Sequence, residues 1–196
     1  MKKIGIIASF VVLLVLTNSF ALKKVIPLNW KPSDDITSLG TITLGKLSSL
    51  KVMVKNIVDE RSIKTEIGKN IEEEGIEKYY VTNDNVSTWA TDKLTSLLKQ
   101  IGIAIVKENP DIIIEAKLIR FYVTESSTYK GEVSFNFTVS TKDGQNIWNG
   151  IISGKSNRWG RSFKAENYQE CISNAFVQAV FNLFKEESFI SAINKL

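Results

Sequence analysis

From Val133 to Ser140 the chain alternates without interruption: Val133, Phe135, Phe137 and Val139 fall on one side, Ser134, Asn136, Thr138 and Ser140 on the other. Successive side chains of a strand point to opposite faces, so the segment must be a strand with one dry face and one wet face. The dry face has to be covered by something else in the chain. Two segments have the spacing to cover it. Val86, Trp89, Ala90, Leu94, Leu97, Leu98 and Ile101 form one helical stripe, with an Asn or Asp at 83–85 to cap its start and Gly102 at its stop. Tyr168, Cys171, Ile172, Ala175, Phe176, Ala179, Val180, Leu183 and Phe184 form the second, in a helix expected from Ala165 to Glu186.

The remaining strands follow from the same pattern. Leu50–Val58 alternates, Ile103–Val106 is short, and Asp111–Thr124 is the longest. Its start, Ile112, Ile113 and Ile114, is apolar on both faces and so suits a central position. Asp143-Gly144 is a two-residue hairpin signal leading to a partner strand over Gln145–Lys155. Residues 59–81, charged and holding Gly68 and Gly75, read as a long exposed loop. The expected fold class is α+β, a mostly antiparallel sheet of about five strands with two amphipathic helices packed on one face, in the order β-α-β-β-β-β-α. Residues 49–196 make this single domain. Residues 22–48, with Pro27, Pro32 and Asp34-Asp35, read as an extended leader or tether.

The chain has 196 residues and opens with Lys2-Lys3, an apolar run from Ile4 to Leu16, and the small-x-small tail Ser19-Phe20-Ala21. These are the three parts of a secretory signal peptide, residues 1–21. The competing reading is an uncleaved anchor over residues 4–22, because no charge falls between Lys3 and Lys23 and roughly 20 apolar residues span a bilayer. Both readings carry the domain out of the cytoplasm, and a periplasmic location is expected. The formal charge is +4, of which Lys2 and Lys3 supply two. The other cations are interleaved with acids, so no nucleic-acid partner is expected.

Histidine is absent, which removes Ser-His-Asp and Cys-His nucleophile systems and the commonest zinc sites. There is no phosphate-binding loop. No catalytic residue, metal site or cofactor is expected, and the chain is not expected to be an enzyme. The single cysteine, Cys171, lies on a helical apolar stripe, where a small buried residue is the simplest reading. Two clusters are candidates for binding. Asp59 and Arg61 follow the first strand and can form a bidentate bridge, either gripping a ligand or tying down the loop. Trp148, Trp159 and Arg161, with Gly150, Gly154 and Gly160 among them, are unusual in a strand, since glycine weakens strands and marks close approach. They form either an aromatic surface, with Arg161 stacked on Trp159, or core packing under the last helix and a bulged turn.

The pattern resembles the YajG-type envelope lipoproteins. The resemblance rests on Val54-Lys-Asn-Ile-Val-Asp-Glu-Arg61 with Ile67-Gly68, on Val86-Ser-Thr-Trp89, on Gly144-Gln-Asn-Ile-Trp-Asn-Gly-Ile-Ile-Ser-Gly154, on Trp159-Gly-Arg-Ser162 and on Glu166-Asn-Tyr168. It covers about residues 50–186 in the same order. The resemblance implies an envelope location and a non-enzymatic role, and it supplies no catalytic residue to carry over. One departure is plain: Ala21-Leu22 stands where such proteins bear a lipidated cysteine. The expected function is an exported, non-catalytic binding or assembly module, an accessory subunit of a cell-envelope complex. The alternative is a carrier of a small apolar or lipid ligand between helices and sheet.

Overall fold

The computed structural model describes residues 21–72 and 76–196. The signal-peptide expectation for residues 1–21 falls outside them except for Ala21. In chain order the elements are β1 (Leu22–Val25), β2 (Lys51–Val54), β3 (Val58–Asp59), β4 (Glu66–Asn70), β5 (Lys78–Val81), α1 (Val86–Gln100), β6 (Ala104–Ile105), β7 (Ile112–Glu125), β8 (Thr128–Thr141), β9 (Asn146–Trp159), α2 (Ala165–Leu183) and α3 (Glu187–Asn194).

The class is α+β, but among the described residues the sheet has nine strands and is mixed. Three strands of 14 residues, β7, β8 and β9, form an antiparallel meander, with Ile112 opposite Thr141 and Thr128 opposite Trp159. Along the other side of β7, three short strands dock in succession and in parallel: Val52 of β2 beside Ile112, Val58 of β3 beside Lys117, and Gly68 of β4 beside Val123. β6 extends the sheet beyond β2, and β5 and then β1 extend it beyond β4. Alternation fixes which face a side chain takes but not strand direction, which is why the parallel half was not expected. The region 59–81 is also no loop. It contains the antiparallel pair β4 and β5, whose residues are too polar and too few to show a period.

The helices lie on one face, as expected, although there are three among the described residues. Asn85 caps α1 by accepting from the Thr88 amide at 3.0 Å, and Gly102 ends it at φ +93°. α2 stops at Leu183, and Glu186 caps a further helix, α3, that brings Phe189 beneath β9. The Asp143-Gly144 turn closes over three residues rather than two: the Gly144 amide donates to Thr141, and the Thr141 amide to Gln145.

Aromatic rings fill the space between helices and sheet. Trp89 of α1 meets Phe121 of β7 at 5.4 Å, and Phe176 of α2 meets Phe135 of β8 at 5.3 Å, both edge-on. Residues 22–48 are not a tether. They begin as β1, then run over the helices with Trp30 edge-on to Trp89 and Phe176 and with Ile36 and Leu47 fully buried. Each such side chain gives about 1.5–3 kcal/mol on burial. Trp89 donates to the Leu28 carbonyl at 3.0 Å, and Gln169 to that of Pro27 at 2.9 Å. Prolines and polar residues mark regular pieces that are short here, β1 and the 3-10 turns Ile36–Leu39 and Gly45–Ser49, not the lack of packing.

Candidate functional site

Asp59 and Arg61 are brought together as a closed clasp. The Arg61 Nε donates to Asp59 Oδ1 at 2.9 Å and Nη2 to Oδ2 at 2.7 Å, a fork-to-fork bridge. The remaining donors meet the carbonyls of Glu66 (2.9 Å), Lys64 (2.5 Å) and Phe121 (3.4 Å). The guanidinium also lies over the Phe121 ring at 5.5 Å. Arg61 is 8% exposed and has spent its hydrogen-bonding capacity on the chain itself. The pair fastens the β3–β4 connection to β7.

The second cluster separates into two roles. Trp148 donates from Nε1 to Ser188 Oγ at 2.9 Å and packs edge-on against Phe189 at 5.2 Å. Its ring also occupies the space over Gly150, where a Cβ would lie 2.5 Å from Cζ2. Trp159, the last residue of β9, is 87% exposed. Arg161 is exposed too, and its Nε lies 3.3 Å from Glu72 Oε1 rather than stacking on Trp159.

Sequence reading missed the buried carboxylate of Glu125. It ends β7 with no exposed surface and accepts from the amides of Ser162 (3.1 Å) and Phe163 (2.9 Å) and from the Tyr168 hydroxyl (2.9 Å). The loop after Trp159 is thereby drawn over the end of the sheet, with Phe163 at φ +44° and its carbonyl accepting from Lys24 Nζ at 3.0 Å. The Tyr80 ring lies 3.7 Å from that of Tyr168 and 4.6 Å from that of Phe163. Among the described residues its hydroxyl has no hydrogen-bond partner. A signal did exist, since Phe121, Val123 and Glu125 share one face of β7, and a carboxylate on the dry side of a strand needs donors.

Burial alone would push the Glu125 carboxyl up, but hydrogen bonds from Tyr129, Asn70 and the Phe163 and Ser162 amides hold it below the usual glutamate range. Burial and the Glu125 charge push the Tyr168 phenol up. A carboxyl lowered on folding contributes stability that is fully present above its unfolded pKa and is lost as pH falls through the folded value. Urea midpoints measured from pH 7 to pH 3 are therefore expected to fall less steeply in Glu125→Gln than in the parent chain. Parallel slopes would refute this.

Among the described residues, no group of three or more Cys, Asp or Glu side chains is placed to hold a metal. Cys171 is buried, with its Sγ 3.0 Å from Ser156 Oγ, and burial pushes its thiol up. Between sheet and α2, the cavity lined by Ile26, Ile67, Val123, Tyr168 and Ile172 measures about 10 Å³, room for one water at most. The larger spaces are open clefts at the surface. One of about 310 Å³ lies beside Arg61 and Tyr122, and one of about 630 Å³ lies between Asp59 and the start of α1.

No family model matches the chain, and no curated protein matches it in sequence. Solved structures do share its fold. The protein XCC0632 from Xanthomonas campestris, of family model DUF330, superposes with a TM-score of 0.51 at 12% identity, over 88% of this chain and 96% of that one. A protein described only as uncharacterized gives 0.51 at 8% identity, over 75% of this chain and 95% of that one. Lipoprotein GNA1162 from Neisseria meningitidis gives 0.37 at 10% identity, over 60% and 89%, too slight a likeness to build on. The fold thus belongs with that of the Xanthomonas protein.

Proposed function

We propose that the chain is an exported, non-catalytic module of the cell envelope, of the YajG type, that takes part in an assembly by pairing a partner strand along β9. The observation that carries this reading is the state of β9 itself. It is 14 residues long and, among the described strands, is paired on one side only, by β8. Ile151, in the middle of its outer face, is 65% exposed. A long edge of this kind is a template for strand addition.

Three further observations support the proposal. The apolar opening of the sequence suits export. The groups that offered chemistry, Asp59, Arg61 and Glu125, are consumed inside the fold. Several exposed cations on the outer face are paired with acids, Lys55 with Glu115, Lys117 with Glu60 and Arg120 with Glu132, which suits a protein partner better than nucleic acid. The ligand-carrier alternative has less support, since the space between sheet and α2 measures about 10 Å³.

A photo-reactive residue placed at Ile151 in the full chain, expressed in cells, tests the reading. It is expected to give a discrete protein adduct that the same group at Ser96, exposed on α1, does not. No adduct, or the same set from both positions, would remove β9 as the contact surface.

A further inference from the structure

The strand register places one end of six strands on a common rim. Leu22 of β1 lies beside Lys78 of β5, Lys78 beside Asn70 of β4, and Asn70 beside Glu125 of β7. Glu125 then lies beside Tyr129 of β8, and Thr128 beside Trp159 of β9. At about 4.8 Å per strand the rim extends about 24 Å. It carries Leu22 at 56%, Ile71 at 52%, Ile76 at 43% and Trp159 at 87% exposure. Large side chains this apolar and this exposed, gathered along one rim, mark a contact surface. The opposite rim is polar where β8 turns into β9 at Lys142, Asp143 and Gly144, and its exposed apolar residues are Val25 at the end of β1 and Ile63 before β4.

What covers the rim is indicated by where the chain leaves the fold. Leu22 begins β1 at this rim, and the sequence before it holds no charge back to Lys3, about the length that crosses a bilayer. A segment of that kind delivers Leu22 to the membrane–water boundary. Tryptophan is the residue most at home at that boundary, and lysine and arginine complete it on anionic lipid. Lys23, Lys130 and Arg161 stand exposed around Trp159 and Leu22; among the described residues the acids beside them are Glu72, facing Arg161, and Glu77, facing Lys69, and the sequence adds Glu73 and Glu74 between Ile71 and Ile76.

We infer that this rim lies on the lipid surface, with Leu22, Ile71, Ile76 and Trp159 dipping into the headgroup layer and residues 4–21 held in the bilayer. The ties from Glu125 to Ser162 and Phe163, and from Lys24 to Phe163, keep the rim rigid enough to present these side chains together. The inference rests on the envelope location proposed above and on the anchor reading of residues 4–22, and not on the β9 contact.

The test uses the full chain reconstituted into vesicles of phosphatidylethanolamine and phosphatidylglycerol, with no partner protein present, so its failure is separate from failure of the β9 reading. Nitroxide labels are attached one at a time at Trp159→Cys, Ile76→Cys and Asp143→Cys; Cys171, being buried, stays unlabelled. Labels at 159 and 76 are expected to show several-fold lower collision with a water-soluble nickel chelate, and higher collision with oxygen, than the label at 143. Equal access to the chelate at all three positions would overturn the inference. So would a chain that an alkaline carbonate wash strips from the vesicles.

Discussion

Arg61→Ala is expected to lower stability by about 3–5 kcal/mol, the cost of removing one member of a buried ion pair and leaving the other uncompensated. The side chains of Arg61 and Asp59 are 7% and 9% exposed, so water cannot move in to solvate the orphaned carboxylate without opening the β3–β4 connection. Three carbonyls, of Lys64, Glu66 and Phe121, would lose their donor in the same step. Arg61→Lys should recover little, because an ammonium cannot reproduce the planar fork. Asp59→Leu combined with Arg61→Met should cost less than Arg61→Ala alone, since no unpaired charge then remains. Urea unfolding of the four chains measures all of this. An Arg61→Ala variant within 1 kcal/mol of the parent would show that the clasp does not hold the fold.

The features that sequence reading located well are those set by a local period over many residues. The stripe from Val86 to Ile101 became α1, the alternation from Val133 to Val139 became the middle of β8, and Ile112 to Ile114 became the start of the central strand. What it missed is set by partners distant in sequence. β4 and β5 have four or five residues each, and their strand character comes from pairing with each other and with β7. The 22–48 segment shows no period because its regular pieces, β1 and two 3-10 turns, are four or five residues long, and its burial depends on a groove supplied by α1 and α2. The candidate binding residues show the same limit. Trp148, Trp159 and Arg161 are near neighbours in sequence, yet one packs under α3, one points to solvent, and one reaches Glu72 across the rim. The lock at Glu125 joins residues 37 and 43 positions further on, beyond the reach of any local pattern.

Gly154→Ala is expected to cost about 3 kcal/mol, at the upper end of what a single methyl group does in a packed interior. A Cβ at this position would lie 2.1 Å from the Ala175 carbonyl oxygen and 2.1 Å from the Ala179 amide nitrogen. Both are backbone atoms of α2, so no side chain can turn aside to make room. The helix cannot easily lift either, because it is fastened to β9 on both sides of the contact. Ser156 Oγ donates to the Cys171 carbonyl at 2.6 Å, and Asn182 Nδ2 to the Ser153 carbonyl at 2.8 Å. Moving α2 outward would break these bonds and part Phe176 from Phe135. Gly144→Ala serves as the control. Nothing lies within 4 Å of its Cβ position and φ is +85°, so only backbone strain applies there, about 1 kcal/mol. Urea midpoints should rank the chains parent, Gly144→Ala, Gly154→Ala, with Gly154→Val failing to form a cooperative fold. If Gly154→Ala matched Gly144→Ala, the close seating of α2 on β9 would be wrong, and with it the physical reason for a glycine in the middle of the longest edge strand.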